Sequence, residues 1–118
     1  MNFLLPFLSR LALPLTLTLA LAIAFLTLTP LEVPPAIDSL SDKAYHAIAF
    51  AALAAPMSFA QPRYVYWIVI AVLTYGGAIE VIQPHVGHAA EWGDFLADGL
   101  GVAIGSSLGW SLRLYLAR

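Results

Sequence analysis

The feature that most limits this chain is a set of long runs without a fixed charge. Between Arg10 and Glu32 about 21 residues pass without one, and a bilayer core needs roughly 20 per helix. Between Lys43 and Arg63 lie about 19 more, enough for a second span. A third run extends from about Tyr64 to Gln83 and a fourth from about Trp92 to Tyr115. The last two span only if Glu80, Asp94 and Asp98 lie inside the membrane or at its edge. The expected fold is therefore an all-α membrane protein: one unit over residues 1–118, folded as a four-helix transmembrane bundle.

Composition supports that class and removes others. The chain is 61% hydrophobic and 10% charged, where a water-soluble domain carries about 25% charged residues. A net charge of -2 with no basic patch excludes a nucleic-acid partner. Without cysteine there is no disulfide, thiolate nucleophile or thiolate metal site. The first apolar run is longer than the roughly 7–15 residues of a signal-peptide core, and no clear small-x-small cleavage site follows. It is expected to stay as a helix, with Pro14 absorbed in its first turns. The connections are short: "PLEVPPAIDSLSD", "AQPR" and "PHVGHAAE". Pro34-Pro35 keeps the first extended, and Ser39 to Asp42 resembles a capping box opening the second helix.

Basic residues give the orientation. If four helices alternate, Arg10, Arg63, Arg113 and Arg118 share one side, with Lys43 the exception. The positive-inside rule then puts both termini and "AQPR" in the cytoplasm. Trp67, Trp92, Trp110, Tyr64 and Tyr115 fall near expected interfaces, where amphipathic rings favour the headgroup level.

The same alternation gathers the polar residues at the outer face. Asp42, Lys43 and His46 open helix two; Glu80 and Gln83 close helix three; Asp94 and Asp98 belong to the start of helix four. At 1.5 Å per residue, His46 and Glu80 lie roughly 6 Å inside their helix ends and Asp98 about 9 Å beyond Trp92. Asp42 with His46, Glu80 with Gln83, and Asp94 with Asp98 are spaced to share one helix face each. An unpaired charge at mid-membrane costs about 2.5–3.5 kcal/mol on insertion scales, less near the interface. A common pocket avoids that cost. It suits general acid–base work, with Glu80 as base or acid oriented by Gln83 and His46 as its proton partner. It equally suits a bound divalent cation held by Asp94 and Asp98, and it repels a bare phosphate. Gly101, Gly105 and Gly109 continue the Asp94–Asp98 face and mark a close-packing seam below the pocket.

Three stretches, "DKAYH", "YGGAIEVIQ" and "GHAAEWGDFLADGLGVAIG", resemble in order the signature blocks of VanZ-like membrane proteins, named for a teicoplanin-resistance accessory protein. The resemblance covers roughly residues 42 to 105; helix one matches only in being apolar. It maps onto Asp42, Lys43 and His46, onto Tyr75, Gly76, Glu80 and Gln83, and onto Asp94, Gly101 and Gly105. His88 stands where arginine is usual, which removes a permanent anion-binding cation. Asp98 replaces the usual asparagine, adding negative charge that favours a cation or proton. The resemblance implies a multi-pass protein of the bacterial cytoplasmic membrane, working at the envelope surface. Its implied partners are membrane lipids and a lipid-linked or amphiphilic envelope molecule, with Asp42, Lys43, Gln83 and His88 among the binding residues.

Plainer readings attach to each residue. Asp42 and Lys43 serve equally as helix cap and interfacial anchor, His46 can bond Asp42 across one turn, and Asp94 suits the helix dipole. His85 and His88 belong to a loop, where solvated histidines are ordinary; with Asp94 and Asp98 they could serve zinc or manganese, but match no ligand signature. Glu91 reads as an exposed loop or capping residue, and Tyr75 and Gly76 as packing positions. Two rival functions follow: a proton- or cation-loading transport element, or an adaptor whose polar cluster locks helices together. Transport needs a relay on the cytoplasmic side, and the inner helix halves offer none.

Overall fold

A computed structural model describes residues 3–29, 39–87 and 91–118, with the side chains of 39 and 40 left aside. Pro34-Pro35, expected to be extended, and His88 lie outside the described residues, as do the side chains that would show a cap at Ser39. The described chain is helical almost throughout: α1 (Leu4–Leu28), α2 (Ser39–Ala60), α3 (Val65–Ile82) and α4 (Trp92–Leu116). Short 3-10 turns at Pro62–Tyr64 and Gln83–Val86 flank α3. The second ends at Gly87, whose φ of 88° is left-handed backbone that glycine adopts without strain.

α1 starts earlier than its charge-free run implies. "LLPFLSR" is apolar enough to continue the helix, so Pro14 lies in its interior rather than in its first turns. The missing N–H removes the ladder bond to the Arg10 carbonyl; one turn on, the Thr18 hydroxyl donates to the Pro14 carbonyl at 2.8 Å.

Contacts at the two ends fix alternating directions. At one end Arg113 of α4 donates to Ser9 Oγ of α1 at 3.1 Å and to the Phe59 carbonyl of α2 at 3.2 Å. That guanidinium closes the C-terminus of α2, where free carbonyls and the helix dipole favour a cation. At the other end Gln83 donates to the Thr27 carbonyl of α1, and Lys43 of α2 pairs with Glu91 just before α4. The principal extents are 48 × 26 × 22 Å; the long axis compares with about 40–45 Å for a bilayer with its headgroups.

Packing is inverted relative to a water-soluble protein. Phe7, Leu21, Phe25, Trp67, Val81, Leu96 and Leu108 are exposed, while Ser58, Gln83, Asp94, Asp98 and Ser106 are buried. Soluble monomers rarely leave such an apolar surface uncovered. Among the described residues three stretches, Leu4–Leu28, Pro62–Val86 and Trp92–Leu116, are long and apolar enough to cross a membrane. α2 is not among them, because the Asp42–His46 turn, Pro56 and Ser58 dilute its apolar content; it packs against α1 and α4 with Tyr45 and Ile48 left exposed.

The α2–α4 contact is the tightest. A Cβ on Gly101, Gly105 or Gly109 would run into the carbonyl oxygens of Ala47, Ala51 and Ala55 respectively. The two backbones touch, as small residues at this spacing permit. Beside that seam Phe50, Leu53, Ala54, Val72, Ile79 and Val102 form the core, with Ile23 reaching in from α1. The Tyr75 hydroxyl donates to the Ala20 carbonyl and ties α3 to α1.

Candidate functional site: a histidine held among carboxylates

Each polar residue reaches the site through its place on a helix end. The glycine–alanine seam sets α2 and α4 so close that His46, the residue just before Ala47 in the Ala47–Gly101 contact, faces both aspartates of α4. Its Nδ1 lies 2.8 Å from Asp98 Oδ1, a hydrogen bond at charge-assisted length. Its Nε2 lies 3.7 Å from Asp94 Oδ2 and 3.9 Å from Asp42 Oδ2. The short bond therefore crosses to α4, and the contact with Asp42 one turn away is the longer one.

Asp98 is 1% exposed, and α3 makes room for it. A Cβ on Gly76 would stand 3.0 Å from Phe50 and 3.1 Å from Asp98 Oδ2. Gly76 thus clears space for the carboxylate, the physical use of the small residue in "YGG".

Glu80 approaches from α3. Its Oε2 accepts the Glu91 backbone N–H at 3.2 Å, while its Oε1 is shielded and accepts no hydrogen bond from the described residues. One ligand atom each from His46, Glu80 and Asp98 fall within 4.8 Å of one another. Gln83 plays a different part from the one expected: its amide nitrogen donates to the Thr27 carbonyl at 3.3 Å, and its buried Oε1 accepts no hydrogen bond from the described residues. It anchors α3 to α1, and the start of α4 orients Glu80.

Lys43 lies at the rim. Its ammonium stands 3.1 Å from Glu91 Oε2 and 3.6 Å from Asp94 Oδ1, and a side chain at Gly93 would collide with its stem. The hydrogen bond to Glu91 holds the Lys43 pKa above its ordinary value, with Asp94 adding to the effect. The structure thus brings together Asp42, Lys43, His46, Glu80, Asp94 and Asp98, while Gln83 is turned to Thr27 of α1. His85 is apart, its ring nitrogen 3.2 Å from the Val81 carbonyl.

Two participants escape a reading of the sequence. Glu91 ties Lys43 by its side chain and Glu80 by its backbone; its three-residue distance from Asp94 was the available signal. Thr27 acts through a main-chain carbonyl, which no residue type announces.

Beside the cluster an apolar groove of about 670 Å³ runs between α3 and α4, lined by Leu73, Thr74, Gly77, Val81, Trp92 and Phe95. Glu80 and Glu91 close its polar end. The site therefore joins a half-buried imidazole–carboxylate cluster, able to take or give protons or to coordinate a cation, to a greasy cleft. Comparison with known protein families, with curated proteins and with solved structures found no match to this chain.

Proposed function

We propose that this chain is a VanZ-like protein of the bacterial cytoplasmic membrane, a four-helix transmembrane bundle with both termini cytoplasmic. Its outer-face site binds a lipid-linked or amphiphilic envelope molecule. The acyl portion lies in the α3–α4 groove, entered sideways from the outer leaflet, and the polar portion meets Glu80, His46, Asp94 and Asp98. Where the bound molecule is turned over, Glu80 is the group placed to exchange a proton with it, with His46 as partner.

The observation that carries this reading is the junction itself: an apolar cleft of about 670 Å³ whose polar end is Glu80. Topology has separate support. Arg113 and the Arg63 turn lie at the end opposite the carboxylates, and Lys43, the basic exception, is ion-paired with Glu91. α2 serves as the fourth span because its polar turn faces α4 and its exposed Tyr45 and Ile48 can meet lipid.

Native mass spectrometry in mild detergent, with lipid extract of the expressing bacterium added, tests the proposal. The wild type is expected to carry an amphiphile that Glu80→Gln loses while keeping its helical circular dichroism. Equal retention by both proteins, or nothing on either with the variant less stable, would make the cluster a helix lock.

A further inference from the structure

We infer that Asp42, His46 and Asp94 form a binding site for one divalent cation of the zinc or manganese class, with Asp98 as the partner that orients the histidine. The inference deepens the proposed function, since the ion would sit where a polar headgroup arrives.

The hydrogen bond from Nδ1 decides which nitrogen is offered. With Asp98 as a carboxylate, Nδ1–H donates to it at 2.8 Å, so the neutral ring presents the Nε2 lone pair. A metal-bound histidine is commonly held this way, its second nitrogen donating to a carboxylate that fixes tautomer and ring orientation. Here the lone pair faces two carboxylates, Asp94 at 3.7 Å and Asp42 at 3.9 Å. Such a group of electron-rich atoms is relieved by a positive charge between them, whether a proton on Nε2 or a cation, and two carboxylates beside one lone pair are the donor set of a divalent cation.

Asp94 supplies an independent observation. Its side chain is 7% exposed, and its Oδ1 accepts no hydrogen bond from the described residues, being held only by the 3.6 Å ion pair with Lys43. A buried carboxylate held that loosely gains from a cation at Oδ2, the oxygen that faces His46.

Geometry separates the two triads that share His46. Tetrahedral bonds of about 2.0–2.1 Å put ligand atoms about 3.3 Å apart. The Nε2 contacts exceed that by a few tenths of an ångström, within reach of small side-chain rotations. The 2.8 Å contact between Nδ1 and Asp98 is too short for two ligands of one ion and right for a hydrogen bond. The cation therefore belongs on the Nε2 side. Asp42, 46% exposed, gives a path to the outer aqueous phase, and the fourth position is left for water or a bound oxygen.

Local charge agrees. Among the described residues at this end, Asp42, Glu80, Glu91, Asp94 and Asp98 gather around the single fixed cation Lys43, which Glu91 occupies. One imidazole with carboxylates suits zinc or manganese over magnesium, which takes oxygen ligands.

The test is metal titration of untagged, chelator-stripped full-length protein in detergent, with Zn²⁺, Mn²⁺ and Mg²⁺ added separately. Equilibrium dialysis with elemental analysis gives the stoichiometry. One equivalent of zinc or manganese is expected. Asp42→Asn and His46→Gln should weaken it at least a hundredfold, and Asp98→Asn about 10–100-fold as an outer-shell change. Asp42 is half exposed, so its variant reports even where a buried substitution fails to fold. Gly77→Leu, which narrows the groove, should leave metal affinity unchanged and weaken amphiphile retention about tenfold. That separates failure of this inference from failure of the proposed function. No stoichiometric metal, equal affinity for magnesium, or undiminished binding by Asp42→Asn and His46→Gln would overturn the site.

Discussion

α4 packs against its two neighbours in opposite ways. Toward α2 it presents Gly101, Gly105 and Gly109 and lies backbone to backbone; toward α3 it presents Trp92 and Phe95 and stands away, leaving the groove. The tight side fixes the distances from His46 to Asp94 and Asp98, because neither helix can shift without a clash. The loose side exposes Glu80 to whatever enters between the helices. One helix thus supplies both the rigid wall of the site and its door.

The largest expected effect comes from breaking the tight side. In Gly105→Leu even the first carbon of the new side chain meets the Ala51 carbonyl, and backbone cannot yield as a side-chain tip can. Overpacking costs typically 1–3 kcal/mol and occasionally more; here about 3 kcal/mol or greater is expected. The measurement is unfolding in detergent followed by circular dichroism. Gly77→Leu, on the loose side, should move the midpoint little, since a Cβ there meets Phe95 only at 3.6 Å. Equal loss in both variants would erase the distinction between the two faces.

Next comes the buried hydrogen bond that the tight side holds. Asp98→Ala strands His46 Nδ1 in a site with almost no solvent, at a cost of about 1–3 kcal/mol. Asp98→Asn keeps an acceptor of the same shape and should recover most of that stability. If Asn fares no better than Ala, charge rather than hydrogen bonding dominates the pair.

The contrast between the two faces also explains what the sequence made legible. Glycines four apart on helix four announce a seam, but the matching Ala47, Ala51 and Ala55 are invisible, because alanine is ordinary in any helix. Helix counting brought His46, Glu80 and Asp98 to one depth, since alternation and a fixed rise need no side-chain detail. It could not show that Asp98 rather than Asp42 takes the short bond to His46, which depends on how closely α2 approaches α4. Glu91 and Gln83 were read by side-chain type, yet they act on partners chosen by tertiary position: Lys43 and Glu80 for one, a main-chain carbonyl of α1 for the other. Arg113 served only as a marker of the cytoplasmic side; that it also closes α2 through Phe59 requires the fold. The charge-free run understates α1, which begins at Leu4 and carries Pro14 in its interior, because a helix need not begin where a charge ends.

On the loose side, Gly77→Leu should weaken amphiphile retention about tenfold, equivalent to about 1.4 kcal/mol, with the unfolding midpoint nearly constant. Native mass spectrometry across a lipid titration reads it. Unchanged retention would place the acyl portion elsewhere and leave the α3–α4 groove without a part in binding.

The smallest effect on stability, and the sharpest on the site, belongs to Lys43→Met. Lys43 spans the two sides of α4, bonded to Glu91 at the groove mouth and standing 3.6 Å from Asp94 within the cluster. Both Lys43 and Glu91 are substantially exposed, and exposed pairs hold little against water and salt. Methionine keeps the stem that covers Gly93, so the unfolding midpoint should barely change and should lose part of its salt dependence. Removing the ammonium nevertheless takes a competing positive charge from Asp94 Oδ1. Zinc or manganese affinity should therefore rise, most clearly at low ionic strength where the repulsion is least screened. A fall in affinity would mean that Lys43 organises the site by positioning Asp94, and the tight face would then extend one turn further toward the outer end than the glycines alone require.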